Sequence, residues 1–151
     1  MKRIISLLLA VMTVLALTAC GGKTTTVDAQ SLAKALAEKS AFESELSAVS
    51  KEELGYYFQL PEECDAAAYM SAGSTAEEVF VIECYDAAAA SALRTSMQEF
   101  LNSQKTEMER YLPAEVERIN GAIFETYGTC VVLCVTSDAD TARGIIKEYV
   151  K

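Results

Sequence analysis

Apolar residues follow three rhythms along this chain. From Ile4 to Leu17 they run almost unbroken behind the basic pair Lys2 and Arg3. Further on they recur in some stretches at helical steps, and in others as short continuous runs. Asp28 stands where an N-cap is wanted. Leu32, Leu36 and the alanines between them then share one side of a helix that ends at Lys39-Ser40. Glu43 to Val49 reads as a strand, with Phe42, Leu46 and Val49 apolar but not cleanly alternating. Ser50-Lys51-Glu52-Glu53 has the form of a capping box and predicts a short helix through Leu54, Tyr57 and Phe58, stopped by Pro61.

The second half carries stronger signals. Ala66 to Ala72 and Glu77 to Tyr85 read as two strands joined by the turn Gly73-Ser74-Thr75. Val79, Phe80, Val81 and Ile82 are consecutive, which predicts a central strand covered on both sides. Asp86 caps a long helix running to about Leu112. Leu93, Met97, Phe100, Leu101, Met108, Tyr111 and Leu112 fall at steps of three and four, with Gln104 inside the stripe. Leu93 and Phe100 are expected to be buried against the sheet. Pro113 breaks the helix, and a short turn continues to Ile119. A second hairpin follows, Ala122 to Tyr127 and Thr129 to Thr136 around Gly128, and its run Cys130 to Val135 is again apolar at every position. Ser137 or Asp138 caps a last helix carrying Ala142, Ile145, Ile146 and Tyr149.

Strands that arrive as hairpins make a largely antiparallel sheet, here of about five strands, with helices packed mainly on one face. The fold class is α+β. Residues 66–112 and 122–149 share the order strand, turn, strand, helix, which is an architectural likeness rather than a duplication. If the helices cover one face only, Val79, Val81, Cys130, Val132 and Cys134 form an exposed apolar patch that marks a partner surface. The alternative is that the first helix or a loop closes over them.

Composition narrows the function classes. Of 151 residues 51% are apolar, enough for a real core. The net charge is −9, and loss of Lys2 and Arg3 with a leader leaves 11 basic residues against 22 acidic ones. That argues against nucleic acid as a partner and against lying flat on anionic lipid. The chain has no histidine, which removes His-based triads, Cys-His pairs and His-containing zinc sites.

The leader ends in a motif. Ile4 to Leu17 has the length of a signal-peptide apolar region and is short of the about 20 residues that span a bilayer. Leu17-Thr18-Ala19-Cys20 resembles the lipobox of bacterial lipoproteins. The resemblance implies cleavage before Cys20, a diacylglyceryl thioether on its sulfur, and anchoring to the extracytoplasmic face of the cell membrane. An ordinary secretory cut after Ala19 wants a small residue where bulky Leu17 stands. The division expected is a signal peptide over 1–19, lipidated Cys20 with a flexible tether over 20–27, and a single α+β domain over 28–151.

The mature part also resembles a family of small lipoproteins from Gram-positive anaerobes, the domain of unknown function 4358. Three stretches carry the likeness: Tyr69 to Glu78, Gln104 to Pro113 ending Tyr111-Leu112-Pro113, and the strand Gly128 to Val135. The family brings no established activity, so it assigns no functional residue.

Candidate chemistry is sparse. Cys64, Cys84, Cys130 and Cys134 remain once Cys20 is lipidated, and four cysteines allow three full pairings. Cys130 and Cys134 share one face of a strand about 13 Å apart, too far to bond to each other, whereas Cys84 is on another strand and free to face one of them. Buried strand cysteines acting as small hydrophobes are the plainer reading. Glu62-Glu63-Asp65 and Glu77-Glu78 are acidic clusters without the spacing of a calcium loop, and acidic residues at turns are usually solvated. Ser71, Ser74 and Thr75 in the hairpin turn, with Tyr69, are the candidate binding residues, because binding groups concentrate on loops held by rigid strands. No cofactor and no metal are implied. The expected function is a binding module, not an enzyme, held to the membrane through Cys20 and engaging an envelope protein. The alternative is a thiol-based redox protein using Cys84 or Cys130, or a metal-binding protein.

Overall fold

The structure is a computed structural model that describes residues 26–150. Its elements in chain order are α1 (Ala29–Lys39), β1 (Leu46–Val49), α2 (Lys51–Leu54), β2 (Cys64–Ser71), β3 (Glu78–Cys84), α3 (Ala87–Tyr111), α4 (Pro113–Asn120), β4 (Ile123–Tyr127), β5 (Cys130–Val135) and α5 (Ala139–Tyr149). The fold is α+β, with one antiparallel five-stranded sheet in the order β1-β2-β3-β5-β4.

Local chemistry explains most element ends. Asp28 accepts from the Ser31 backbone N–H, Asp86 from that of Ala89, and Asp138 from that of Thr141. Each carboxylate satisfies a helix-end donor that otherwise lacks a partner. Ser50 and Glu53 form the reciprocal capping box at the head of α2. Gly73 and Gly128, the pivots of the two hairpins, take positive φ angles of 90° and 61°, where a side chain would be strained.

Several details differ from expectation, among them the start of β2, at Cys64 and not Ala66. The first strand begins at Leu46, not Glu43, because the backbone N–H groups of Glu43 and Ser44 turn to the carboxylate of Glu77 instead of a neighbouring strand. The short helix α2 ends at Leu54, well before Pro61, and Gly55 to Tyr57 form a turn. The apolar stripe of α3 is not buried throughout. Leu93, Met97 and Leu101 are buried and Phe100 partly so, whereas Tyr111 and Leu112 are exposed. At about 1.5 Å per residue the 25-residue helix outruns the seven-residue β3, which spans about 23 Å.

Helices cover both faces of the sheet, which corrects the expectation of one covered face. Alternation along each strand sends neighbours to opposite sides. Val79, Val81, Cys130, Val132 and Cys134 pack with Leu32, Leu36, Ile145 and Ile146 from α1 and α5. Phe80, Ile82, Val131, Leu133 and Val135 pack with Leu54 of α2, Leu93 and Met97 of α3 and Ile119 of α4. β3 and β5 are apolar on both sides, and a strand of that kind is stable only when both sides are covered. All five residues of the anticipated patch have 0% exposure, so no partner surface exists there.

Candidate functional site

The turn between β2 and β3 holds the residues favoured in the sequence, and the fold engages three of them internally. Ser71 Oγ donates to the Thr75 carbonyl at 2.6 Å. The hydroxyls of Ser44 and Ser74 are 3.0 Å apart, and Thr75 Oγ1 donates to Ser44 Oγ and to Glu77 at 3.1 Å each. Tyr69 is on the other kind of position, a half-buried strand residue against the α1 and α5 core.

Below this turn is a buried ionic node that the sequence did not suggest. Glu77 and Glu78 are each 1% exposed, so the reading of that cluster as solvated is overturned, whereas Glu62, Glu63 and Asp65 are exposed. The Glu77 carboxylate accepts from the backbone N–H groups of Glu43 and Ser44 at 2.8 and 2.9 Å, and Arg118 Nε is 3.8 Å away. Arg118 also pairs with Glu43 and Glu115, and Glu115 accepts from the Ala76 N–H at 2.9 Å. Burial works against the charge on Arg118, but its hydrogen bonds to Glu115 and Glu43 outweigh that and hold it above its ordinary value. Both carboxylate oxygens of Glu77 accept from donors of the chain itself, so the node joins three segments, residues 43–44, residues 75–77 and α4, and offers no free ligand position. Glu78 points to the opposite side of β3, where burial raises its carboxyl to about 8.

The open surface is elsewhere, between α3 and residues 55–63. Phe58 is buried and stacks near Phe80 and Phe100, with ring centroids at 5.5 and 5.7 Å. The Gln59 N–H donates to Ser96 Oγ on α3 at 2.8 Å. Lys51 Nζ donates to the carbonyls of Glu62 and Cys64 at 3.1 Å each. The segment is thus pinned in its middle and at its far end, and Tyr56, Tyr57, Gln59, Glu62 and Glu63 are exposed. Two adjoining clefts of about 560 and 530 Å³ result, sharing Gln59 and Ala92. Tyr56, Tyr57 and Tyr85 edge them with exposures of 87%, 46% and 66%. Tyr57 is set edge-on to Phe100 at 5.8 Å. Glu62, Glu63 and Glu99 supply charge, and among the described residues no lysine or arginine lines either cleft. The sequence signal was Gly55-Tyr56-Tyr57, which a helix reading hid.

The cysteines divide between the faces. Cys130 and Cys134 have 0% exposure on the α1 side, and burial pushes both thiols well above their ordinary value. Cys84 faces the α3 side, so the pairing with Cys130 or Cys134 that the sequence left open does not form, and all three are buried as the plainer reading had it. The strand partner of Cys84 is Cys64. All four are thiols. Among the described residues no helix is long and apolar enough to cross a membrane, and Cys20 lies outside the described residues.

A family model with the description "Domain of unknown function (DUF4358)" matches residues 38–136, which contain the node, the clefts and all four thiols. No curated protein and no solved structure matches the chain.

Proposed function

The chain belongs to the DUF4358 family, and we propose that it serves as a lipid-anchored, extracytoplasmic binding module that takes a protein segment into the tyrosine-edged clefts beside α3. The observation that carries this reading is the placement of Tyr56, Tyr57 and Tyr85. Three exposed aromatic rings edge two adjoining clefts while the segment beneath them is pinned to the core. Tyrosine combines a broad apolar face with a hydroxyl, and it is enriched where proteins meet. The walls carry Glu62, Glu63 and Glu99 and no basic residue among those described, on a chain of net charge −9. The fitting partner is therefore a basic segment of an envelope protein, drawn in by opposite charge and held by stacking on the rings.

Anchoring rests on the lipobox-like Leu17-Thr18-Ala19-Cys20. Two or more acyl chains on Cys20 make attachment stable, whereas one gives only marginal binding. Absence of histidine and occupation of the Glu77 node by structural donors both favour binding over catalysis.

Two measurements test the proposal. Cys20→Ala should move the protein from the detergent phase to the aqueous phase. Wild-type protein that partitions into buffer without detergent overturns the anchor. A photo-crosslinking residue at position 56 should trap a partner in native membranes. That product should be lost with Tyr85→Ala and with the charge reversal Glu63→Lys, and kept with Asp140→Lys on the far side. Equal yields from all three variants overturn the cleft as the binding site.

A further inference from the structure

We infer that Cys64 and Cys84 form a redox-active dithiol, closing to a cross-strand disulfide by exchange with an external disulfide. The two residues are direct partners in the antiparallel register of β2 and β3. The Cys84 N–H donates to the Thr129 carbonyl at 3.0 Å on the opposite flank of β3. N–H and C=O of a strand residue point the same way, so Cys84 makes no ladder bond to β2 and the pair is of the non-hydrogen-bonded kind. Such pairs have Cα atoms about 4.5 Å apart and side chains at their closest. A disulfide spans Cα separations of about 4.4–6.8 Å. Both side chains lie on the α3 face of the sheet.

Accessibility sets an order of events. Cys64 is partly exposed at the start of β2, and its Sγ donates to the Pro61 carbonyl at 3.3 Å. Cys84 is 4% exposed. Their neighbours in sequence, Glu63 and Tyr85, both line the 530 Å³ cleft, and Cys64 is the more exposed of the two thiols, so it is the first that an external disulfide reaches. The Cys64 thiolate attacks one sulfur of R–S–S–R. The external S–S bond breaks, R–S⁻ leaves, and a mixed disulfide forms on Cys64. Cys84 then gives up its proton and attacks the Cys64 sulfur, expelling the second R–S⁻. Two protons and two electrons pass from the dithiol to the external disulfide, which becomes two R–SH. Burial raises the Cys84 thiol to about 11, with Cys64 adding to the shift, which keeps it protonated and unreactive towards an external disulfide, so its part is confined to the intramolecular step once the mixed disulfide stands beside it. Cys130 and Cys134 take no part, since the whole sheet separates them from the cleft.

The test uses the full chain and oxidised glutathione as the external disulfide, with dithiothreitol as the reducing control. After native incubation, the protein is denatured, alkylated and mapped. The expected result is loss of two alkylatable thiols, a mass lower by two hydrogens, and a peptide pair joined through Cys64 and Cys84. Cys84→Ser should stop at the glutathione adduct on Cys64, and Cys64→Ser should prevent reaction at Cys84. Full alkylation of Cys64, Cys84, Cys130 and Cys134 overturns the inference, as does a linked pair containing Cys130 or Cys134. The readout does not depend on whether the clefts take a partner.

Discussion

Gln104, inside the apolar stripe of α3, donates from Nε2 to the carboxyl of Glu78 on β3 at 3.3 Å. The other oxygens of this pair, Glu78 Oε1 and Gln104 Oε1, are buried without a donor. Protonation of Glu78 supplies one. Burial raises Glu78 to about 8 from an ordinary 4.5, so the folded protein holds this proton more tightly than the unfolded chain does. The stabilisation is complete below about pH 4.5 and is lost as pH rises to about 8, at up to about 1.4 kcal/mol per pH unit. Glu78→Gln keeps the shape and removes the titration. Urea denaturation across that range should show a flatter curve for the variant and greater stability than wild type above about pH 8. Parallel curves would place the titration on another group.

Arg118 is the only described cation beside the buried carboxylate of Glu77, at 3.8 Å. Arg118→Met leaves that carboxylate without its counter-charge and should cost about 3–5 kcal/mol, the range for breaking a buried pair from one side. Adding Glu77→Gln removes the stranded charge and should recover part of the loss. A double-mutant cycle on reversible denaturation measures the coupling, and strict additivity would show the two groups to be independent.

Leu93 is 1% exposed under α3, whereas Phe100 is partly buried and shares contacts with Tyr57, Phe58 and Phe80. Leu93→Ala should cost about 2–5 kcal/mol and Phe100→Ala about 3 kcal/mol, the low end for a phenylalanine. A loss below about 1 kcal/mol at either site, read from denaturant midpoints, would place that face of α3 in solvent.

Val132 has 0% exposure at the centre of β5. Val132→Asp puts an unpaired carboxylate between the sheet and α1, and it should unfold the domain outright. Ala48→Asp, at an exposed position of the edge strand β1, should change stability by no more than about 0.5 kcal/mol. Circular dichroism at 25 °C separates the two results.

What was legible in the sequence was local. Asp28, Ser50, Asp86 and Asp138 announce helix starts because a cap is decided within three residues. The long helix, the two hairpins and the antiparallel sheet follow from periodicity and turn residues in the same way. The ionic node was not legible, because Glu43, Glu77 and the α4 pair Glu115 and Arg118 come from three segments that meet only after folding. The second covered face was half visible: β3 and β5 demanded it, but the first and last helices gave no sign of which side of the sheet they would take. The facing of Cys64 and Cys84 was lost to a two-residue error. Beginning β2 at Ala66 left Cys64 in a loop, whereas the register counted outward from the Gly73 turn places it opposite Cys84.

The allocation of helices between the two faces also gives the domain a near side and a far side. Thr26 and Tyr149, close to the two ends of the described chain, line one shallow depression on the α1 and α5 side. The tyrosine-edged clefts and the Cys64–Cys84 pair lie across the sheet, on the α3 side. Under the proposed attachment through Cys20, the sheet stands between the tethered side of the domain and the surface that carries the clefts, and tension on the tether is taken first by α1 and not by the segment that carries the tyrosines.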